Sequence, residues 1–181
     1  NAKEFGIDIP ETIITNEKKA LTALLKKYPE IITKPIRSVL ILPSFNSSEH
    51  LNYFTYTEIL KKADLERIPD TFFPSLFQEA LLKEFEIRTF YLNGKCYSMA
   101  IFSQLDEQTN VDFRMYNTDK QNRFVPFKLS KDIEEKISEL MNSLSMKTGS
   151  LDFIRTIDGR TVFLEINPRG QYGMTSEPCN Y

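Results

Sequence analysis

Apolar and polar positions alternate with period two over much of the chain, and only two stretches switch to the helical period. Residues 12–14 form a short β-rich run. Asn16 is placed to cap a helix over 17–28, where Leu21, Leu24, Leu25 and Tyr28 make one apolar stripe and Pro29 ends it. Strands are predicted over 31–34, 38–42, 53–57 and 76–79, a polar loop over 44–52, and a short helix over 58–63. Asn93-Gly94 marks a two-residue hairpin joining 86–92 to 95–103, with Glu86 and Arg88 on one face. A strand over 111–115 follows. Ser130 caps a helix over 131–146 carrying Ile133, Ile137, Leu140, Met141 and Leu144. The opening residues look like a helix end stopped by Gly6, and the closing EPCNY shows no terminating element. Strands with two packed helices make an α+β fold.

A second hairpin has the most chemical content. In LDFIRTIDGRTVFLEINPRGQ, Asp158-Gly159 separates two apolar-rich runs, and a type I′ turn there pairs Ile157 with Arg160. Counting outward sets Asp152 opposite Glu165, with Asn167 on the same face and Leu151, Phe153, Leu164 and Ile166 on the other. Two carboxylates directly across a ladder repel. A cation between them resolves the conflict, and two carboxylates with an amide oxygen are hard ligands suited to Mg²⁺ or Mn²⁺. The plainer alternative is a solvated hairpin face.

Charge narrows the function classes. The net charge of −2 and pI near 5.6 leave no basic footprint for nucleic acid. No apolar run approaches the ~20 residues of a membrane span, and no signal peptide is visible. Cys96 and Cys179 form no metal or disulfide pattern, as expected of a cytoplasmic protein. His50, the single histidine, sits in a polar loop and reads as inert. No Ser-His or Cys-His nucleophile pair is apparent.

Taken in order, FGIDIPETIITN, TKPI, FPSLFQEALLKEFEIRTF, SQ…VDFRMY, GSLDFI and FLEINPRGQ…CNY resemble the ATP-grasp carboxylate–amine ligases, above all the peptide maturases of the microviridin and grasp-with-spasm kinds. The resemblance implies two α+β subdomains whose antiparallel sheets sandwich ATP, here 1–75 and 76–181, without the N-terminal domain that precedes them in the family. It implies that Lys34 touches the α/β-phosphates, that Gln78 and Glu79 face the adenine edge, and that Glu86 accepts the ribose hydroxyls. Arg114 would face the γ-phosphate as the catalytic cation, and Asp152, Glu165 and Asn167 would hold Mg²⁺, two ions in the family, with Mn²⁺ as the alternative. Lys83 and Arg88 are further site residues without a set role. Taken singly, Lys34 also reads as a surface lysine, Glu86 as a partner of Arg88 on an exposed strand, and Arg114 as a strand arginine near Asp112.

The family's glycine-rich loop and second phosphate lysine are missing from ILPSFNSSEHLNYFTYTE, where Ser44, Ser47, Ser48 or backbone amides would have to serve. The implied reaction turns a carboxylate into an acyl phosphate with ATP, then into an amide or ester on a ribosomally made precursor peptide. Competing readings are a ligase of free amino acids or small peptides, a non-catalytic nucleotide-binding fragment, and an interaction domain. Apolar surface left by a missing domain would favour a homodimer.

Overall fold

The computed structural model describes residues 2–34, 36, 42–43, 52–53, 57–103 and 122–181. They fall into two compact units: Glu11–Ala80, and Asn1–Pro10 together with Leu81–Tyr181. The expected division at 75/76 differs from this. It would cut β6 (Thr71–Glu79), and the first ten residues go with the larger unit.

The smaller unit is a four-stranded sheet in the order β1 (Thr12–Glu17), β6, β2 (Glu30–Lys34), β5 (Glu58–Lys61). Helix α1 (Lys18–Lys27) covers one face. Its Leu21, Leu24 and Leu25 are buried with Ile31 and Phe77, while Ile13 and Leu60 pack at the margin. Each leucine so buried is worth roughly 1.5–3 kcal/mol. Asn16 lies in the strand, and the helix instead starts after Glu17, which makes no side-chain cap. The Lys18 amide donates to the Asp70 carbonyl, so a tertiary contact does the capping. The helix expected over 58–63 is strand β5 followed by a 3₁₀ turn, Lys62–Arg67. Strand β5 pairs with β2 from Glu30↔Lys61 to Thr33↔Glu58, and that ladder overrides local helix propensity. A short pair, β3 (Leu42–Pro43) and β4 (Asn52–Tyr53), completes this unit.

The larger unit is a five-stranded antiparallel sheet in the order β11 (Thr161–Asn167), β10 (Thr148–Thr156), β7 (Lys83–Leu92), β8 (Lys95–Phe102), β9 (Arg123–Phe127). One face packs on α2 (Lys131–Ser143) and the 3₁₀ turn Ala2–Phe5, burying Ile87, Tyr91, Ile137, Leu140, Met141, Leu151 and Phe153. Ser130 caps α2 as expected, its hydroxyl accepting from the Ile133 amide. At the end of the chain an unexpected helix, α3 (Tyr172–Cys179), packs on the other face beside Met99, Ile101 and Phe124. Glycine and Pro178 mask it in the sequence, and α3 has almost no amphipathic pattern of its own.

The two hairpins differ. Asn93 and Gly94 both have positive φ, a type I′ turn that pairs Leu92 with Lys95 and Glu86 with Ile101. At the other, Gly159 alone is left-handed, and the Thr156 amide bonds to the Arg160 carbonyl. The loop is therefore three residues long and not the expected two, with Arg155 opposite Thr161 and Phe153 opposite Phe163. A bulge at Leu164 then shifts the ladder by one, so that Asp152 does face Glu165. The expected pairing is right because two departures cancel.

Candidate functional site

On the face of the larger sheet away from α2, β7 contributes Glu86, Arg88 and Phe90, β10 contributes Ser150 and Asp152, and β11 contributes Glu165 and Asn167. Asp152 pairs with Arg88 on one side and Glu165 on the other, a charged row across three strands. The Arg88 and Asp152 side chains are 6 % and 18 % exposed, and Nη1 stands 3.7 Å from Oδ1. The guanidinium thus offsets part of the carboxylate repulsion that a bare hairpin would carry. Glu165 is exposed, and Asn167 lies two pairs beyond it on the same face, opposite Ser150.

Asn167 is held by the turn that follows it. Its Oδ1 accepts from the Arg169 amide at 3.1 Å, and its carbonyl accepts from the Gly170 amide. An amide oxygen has two lone pairs, so one acceptor direction on Oδ1 stays available. Among the described residues no three His, Cys, Asp or Glu side chains cluster, and the oxygen set is two carboxylates with an amide. That set fits a hard divalent ion.

Glu86 is buried. Its Oε1 accepts from Ser103 Oγ at 2.7 Å and from Lys83 Nζ at 2.5 Å. The strand is therefore buried here, and Glu86 pairs with Lys83 in place of Arg88. Sequence reasoning placed Lys83 and Arg88 near the site without a role, and missed Ser103 and Gln171. The alternation of Lys83, Glu86 and Arg88 along β7 was the available signal for the first two. Gln171 is brought in only by the path of the chain into α3: its amide donates to Ser150 Oγ and its Oε1 accepts from Arg88 Nη2 at 2.8 Å. Gly170, left-handed at φ 58°, makes this entry, since a Cβ there would lie 2.8 Å from the Phe90 ring.

In the smaller unit, Lys34 and Gln78 share the face away from α1 with Thr12, Ile32 and Leu76. Gln78 is buried, and its Nε2 donates to Thr12 Oγ1 at 2.8 Å. Glu79 points to the opposite face, where it meets the Tyr28 hydroxyl; burial first, then the Glu79 hydrogen bond, pushes that phenol up. Gln78 and Glu79 thus cannot present both side chains to one face. Arg114, Ser44, Ser47, Ser48 and His50 lie outside the described residues.

No family model matches the chain, and no curated protein does. Solved structures match well. The chain is similar to a RiPP-associated ATP-grasp ligase of Chryseobacterium gregarium, in complex with ADP and a leader and core peptide, with 23 % identity, a TM-score of 0.84, and 94 % of this chain and 50 % of that one covered. It is similar to the macrocyclase MdnC of Microcystis aeruginosa, bound with precursor peptide MdnA, with 27 % identity, a TM-score of 0.78, and 97 % and 51 % covered. A third match is the ATP-grasp ligase PsnB, complexed with a minimal precursor variant, Mg and ADP, with 16 % identity, a TM-score of 0.72, and 99 % and 51 % covered. The chain spans about half the length of each of these proteins.

Proposed function

We propose that this chain, an ATP-grasp protein of the peptide-maturing kind, is the nucleotide-binding part of a ligase that joins a side-chain carboxylate of a ribosomally made precursor peptide to an amine or hydroxyl. The observation that carries this reading is the row Asp152–Glu165 with Asn167, on a fold shared with ligases whose solved complexes hold peptide and, in one of the two, ADP as well. The reaction consumes ATP: the carboxylate takes the γ-phosphoryl group, ADP leaves, and the acceptor then displaces phosphate from the acyl phosphate.

Asp152, Glu165 and Asn167 would hold Mg²⁺, two ions in the finer reading and Mn²⁺ as the substitute, and the metal would neutralise phosphate charge. Lys34 is assigned to the α/β-phosphates as a compact cation. Glu86 Oε1 is engaged by Lys83 and Ser103, which leaves Oε2 to accept from ribose hydroxyls. Gln78 and Glu79 lead into Ala80 and Leu81, where the chain passes between units, and Arg114 is assigned to the γ-phosphate. The protein's work is positioning and charge stabilisation.

Among the described residues no helix is long and apolar enough to cross a membrane. ATP as substrate and two free cysteines support a cytoplasmic setting. Phe73, Leu82 and Ile157 are exposed, and a homodimer through such surface is checked by light scattering.

The test is calorimetric titration of a non-hydrolysable ATP analogue with Mg²⁺ and again with excess chelator. Metal-dependent binding is expected. Binding of equal strength in chelator overturns the metal assignment. Phosphate release that depends on a precursor peptide, and is absent with free amino acids, separates the maturase from ligases of small substrates.

A further inference from the structure

The chain enters the smaller unit at Glu11 and leaves it after Ala80, and within that unit the two crossings are bonded to each other. The Glu79 amide donates to the Glu11 carbonyl at 3.0 Å, and the Ala80 amide donates to the Glu30 carbonyl at 3.3 Å. These bonds stand at the ends of the β1–β6 and β2–β6 ladders, where backbone pairing opens most readily. A side-chain cluster reinforces the same place. The Tyr28 hydroxyl donates to Glu11 Oε2 at 2.9 Å, Lys27 Nζ pairs with that same oxygen, and Glu79 bonds to the Tyr28 hydroxyl. One carboxylate thus comes from each crossing. A phenol carries one proton, so it serves two carboxylates by sharing or alternating it. Tyr28 is itself anchored. Its amide donates to the Leu24 carbonyl at the end of α1, its ring packs against the cluster of Leu21, Leu24 and Leu25, and Pro29 follows it.

We propose that Tyr28 is a positioning residue: its hydroxyl clamps the carboxylates of Glu11 and Glu79, ties the two crossings together, and so presets the backbone of residues 78–80 for the base of a nucleotide. The clamp rests on the geometry alone. Its use in nucleotide binding rests on the ligase reading, which sets the base beside residues 78 and 79. Groups that read a base edge bind more tightly when their directions are fixed beforehand, because less order is lost on binding. Gln78 is fixed on one face of β6 by Thr12, and Glu79 is fixed on the opposite face by Tyr28. The peptide between them is held from both sides. The Glu79 carboxylate therefore acts from behind the site, through the backbone it restrains. Lys27 balances the charge of the two carboxylates but fixes little, since its side chain is 59 % exposed and its pairing is screened.

Hydrogen exchange of the Glu79 and Ala80 amides, read by NMR in this chain, measures the clamp. Tyr28→Phe keeps the ring in its cluster and removes the hydroxyl, and should speed exchange at both amides about tenfold. Lys27→Met removes an exposed ion pair and should leave both rates within about twofold of wild type. Calorimetry with Mg²⁺ then compares a non-hydrolysable ATP analogue with inorganic tripolyphosphate, which has no base. Tyr28→Phe should weaken the analogue about fivefold and leave tripolyphosphate within about twofold. A general loss of structure would weaken both ligands alike. Unchanged exchange in Tyr28→Phe overturns the proposal, as does an equal acceleration in Lys27→Met. Equal weakening of the two ligands, or of neither, overturns the positioning of the base. Faster exchange in Tyr28→Phe, with neither ligand bound by the wild type, keeps the clamp and overturns the ligase reading. Metal-dependent binding of the analogue with unchanged exchange does the reverse.

Discussion

Glu165 and Asp152 face each other across β10 and β11, and their two carboxylates repel in the absence of metal. Glu165→Gln removes that repulsion. Metal-free stability should rise by about 0.5 kcal/mol, while Mg²⁺-dependent nucleotide affinity should fall about tenfold or more. The opposite signs are the signature of a metal ligand; a fall in both, by denaturation and calorimetry, would point to a structural role. Glu86 behaves differently because it is committed to a buried pair, with Lys83 8 % exposed and Glu86 11 %. Glu86→Leu leaves a buried ammonium without its carboxylate and should cost about 3–5 kcal/mol. Adding Lys83→Met should recover most of that loss in urea denaturation, since the strained charge goes with it. Glu86 was legible from its place in the family-like segment. Its partner Ser103 was not, because Ser103 reaches it from just beyond the end of the neighbouring strand β8.

At the scale of elements, two glycines separate turn strain from packing strain. Gly94 has φ 86° and open space where a Cβ would go, so Gly94→Ala should cost only the left-handed penalty, about 1–2 kcal/mol. Gly170 combines φ 58° with the Phe90 ring 2.8 Å from that Cβ. Gly170→Ala should therefore lower the melting temperature more than Gly94→Ala and disturb α3; equal shifts would show that Phe90 yields freely. The Asn93-Gly94 hairpin was readable in full, since two positive-φ positions determine both turn and register. The Asp158-Gly159 hairpin was readable only in outcome. Its three-residue loop and the Leu164 bulge offset one another, and no local signal distinguishes that solution from a plain two-residue turn. Helix α3 escaped notice because its contacts with β8 and β9, more than its own propensity, hold it in place.

Across the whole molecule, pH dependence follows from exposed pairs with shifted groups. Asp64 is held below its usual 3.8, first by the Lys61 amide and then by Arg67, and Asp158 is held below it, first by the Thr156 hydroxyl and then by Arg160. Their stabilisation is present above pH 3.8 and is lost as pH falls through the depressed folded values. Lys27 is raised above 10.5 by its bond to Glu11, so its contribution is present below pH 10.5 and is lost as pH rises past the folded value. Lys27 and Asp158 are exposed and Asp64 is partly so, so each effect is screened and small. Thermal melts should show a plateau between these limits and a decline in acid; a maximum inside the plateau would reveal a titrating group elsewhere in the chain. The two units part after Ala80, where the expectation set 75/76. The boundary follows the long β6 strand and the return of residues 2–10 to the larger sheet, where the Phe163 amide donates to the Asp8 carbonyl.

The sequence by itself determined the α+β class, the faces that α1 and α2 bury, both hairpin sites, and the meeting of Asp152 with Glu165. All of these rest on periodicity and turns, which act over a few residues. Only the tertiary structure decided that Arg88 flanks Asp152, that Lys83 neutralises Glu86 while Ser103 donates to it, that Gln78 and Glu79 part to opposite faces, and that α3 returns Gln171 to the charged row. Those neighbours come from strands far apart in sequence, and their pairing is set by burial of whole sheet faces, a sum over the fold that no local pattern records.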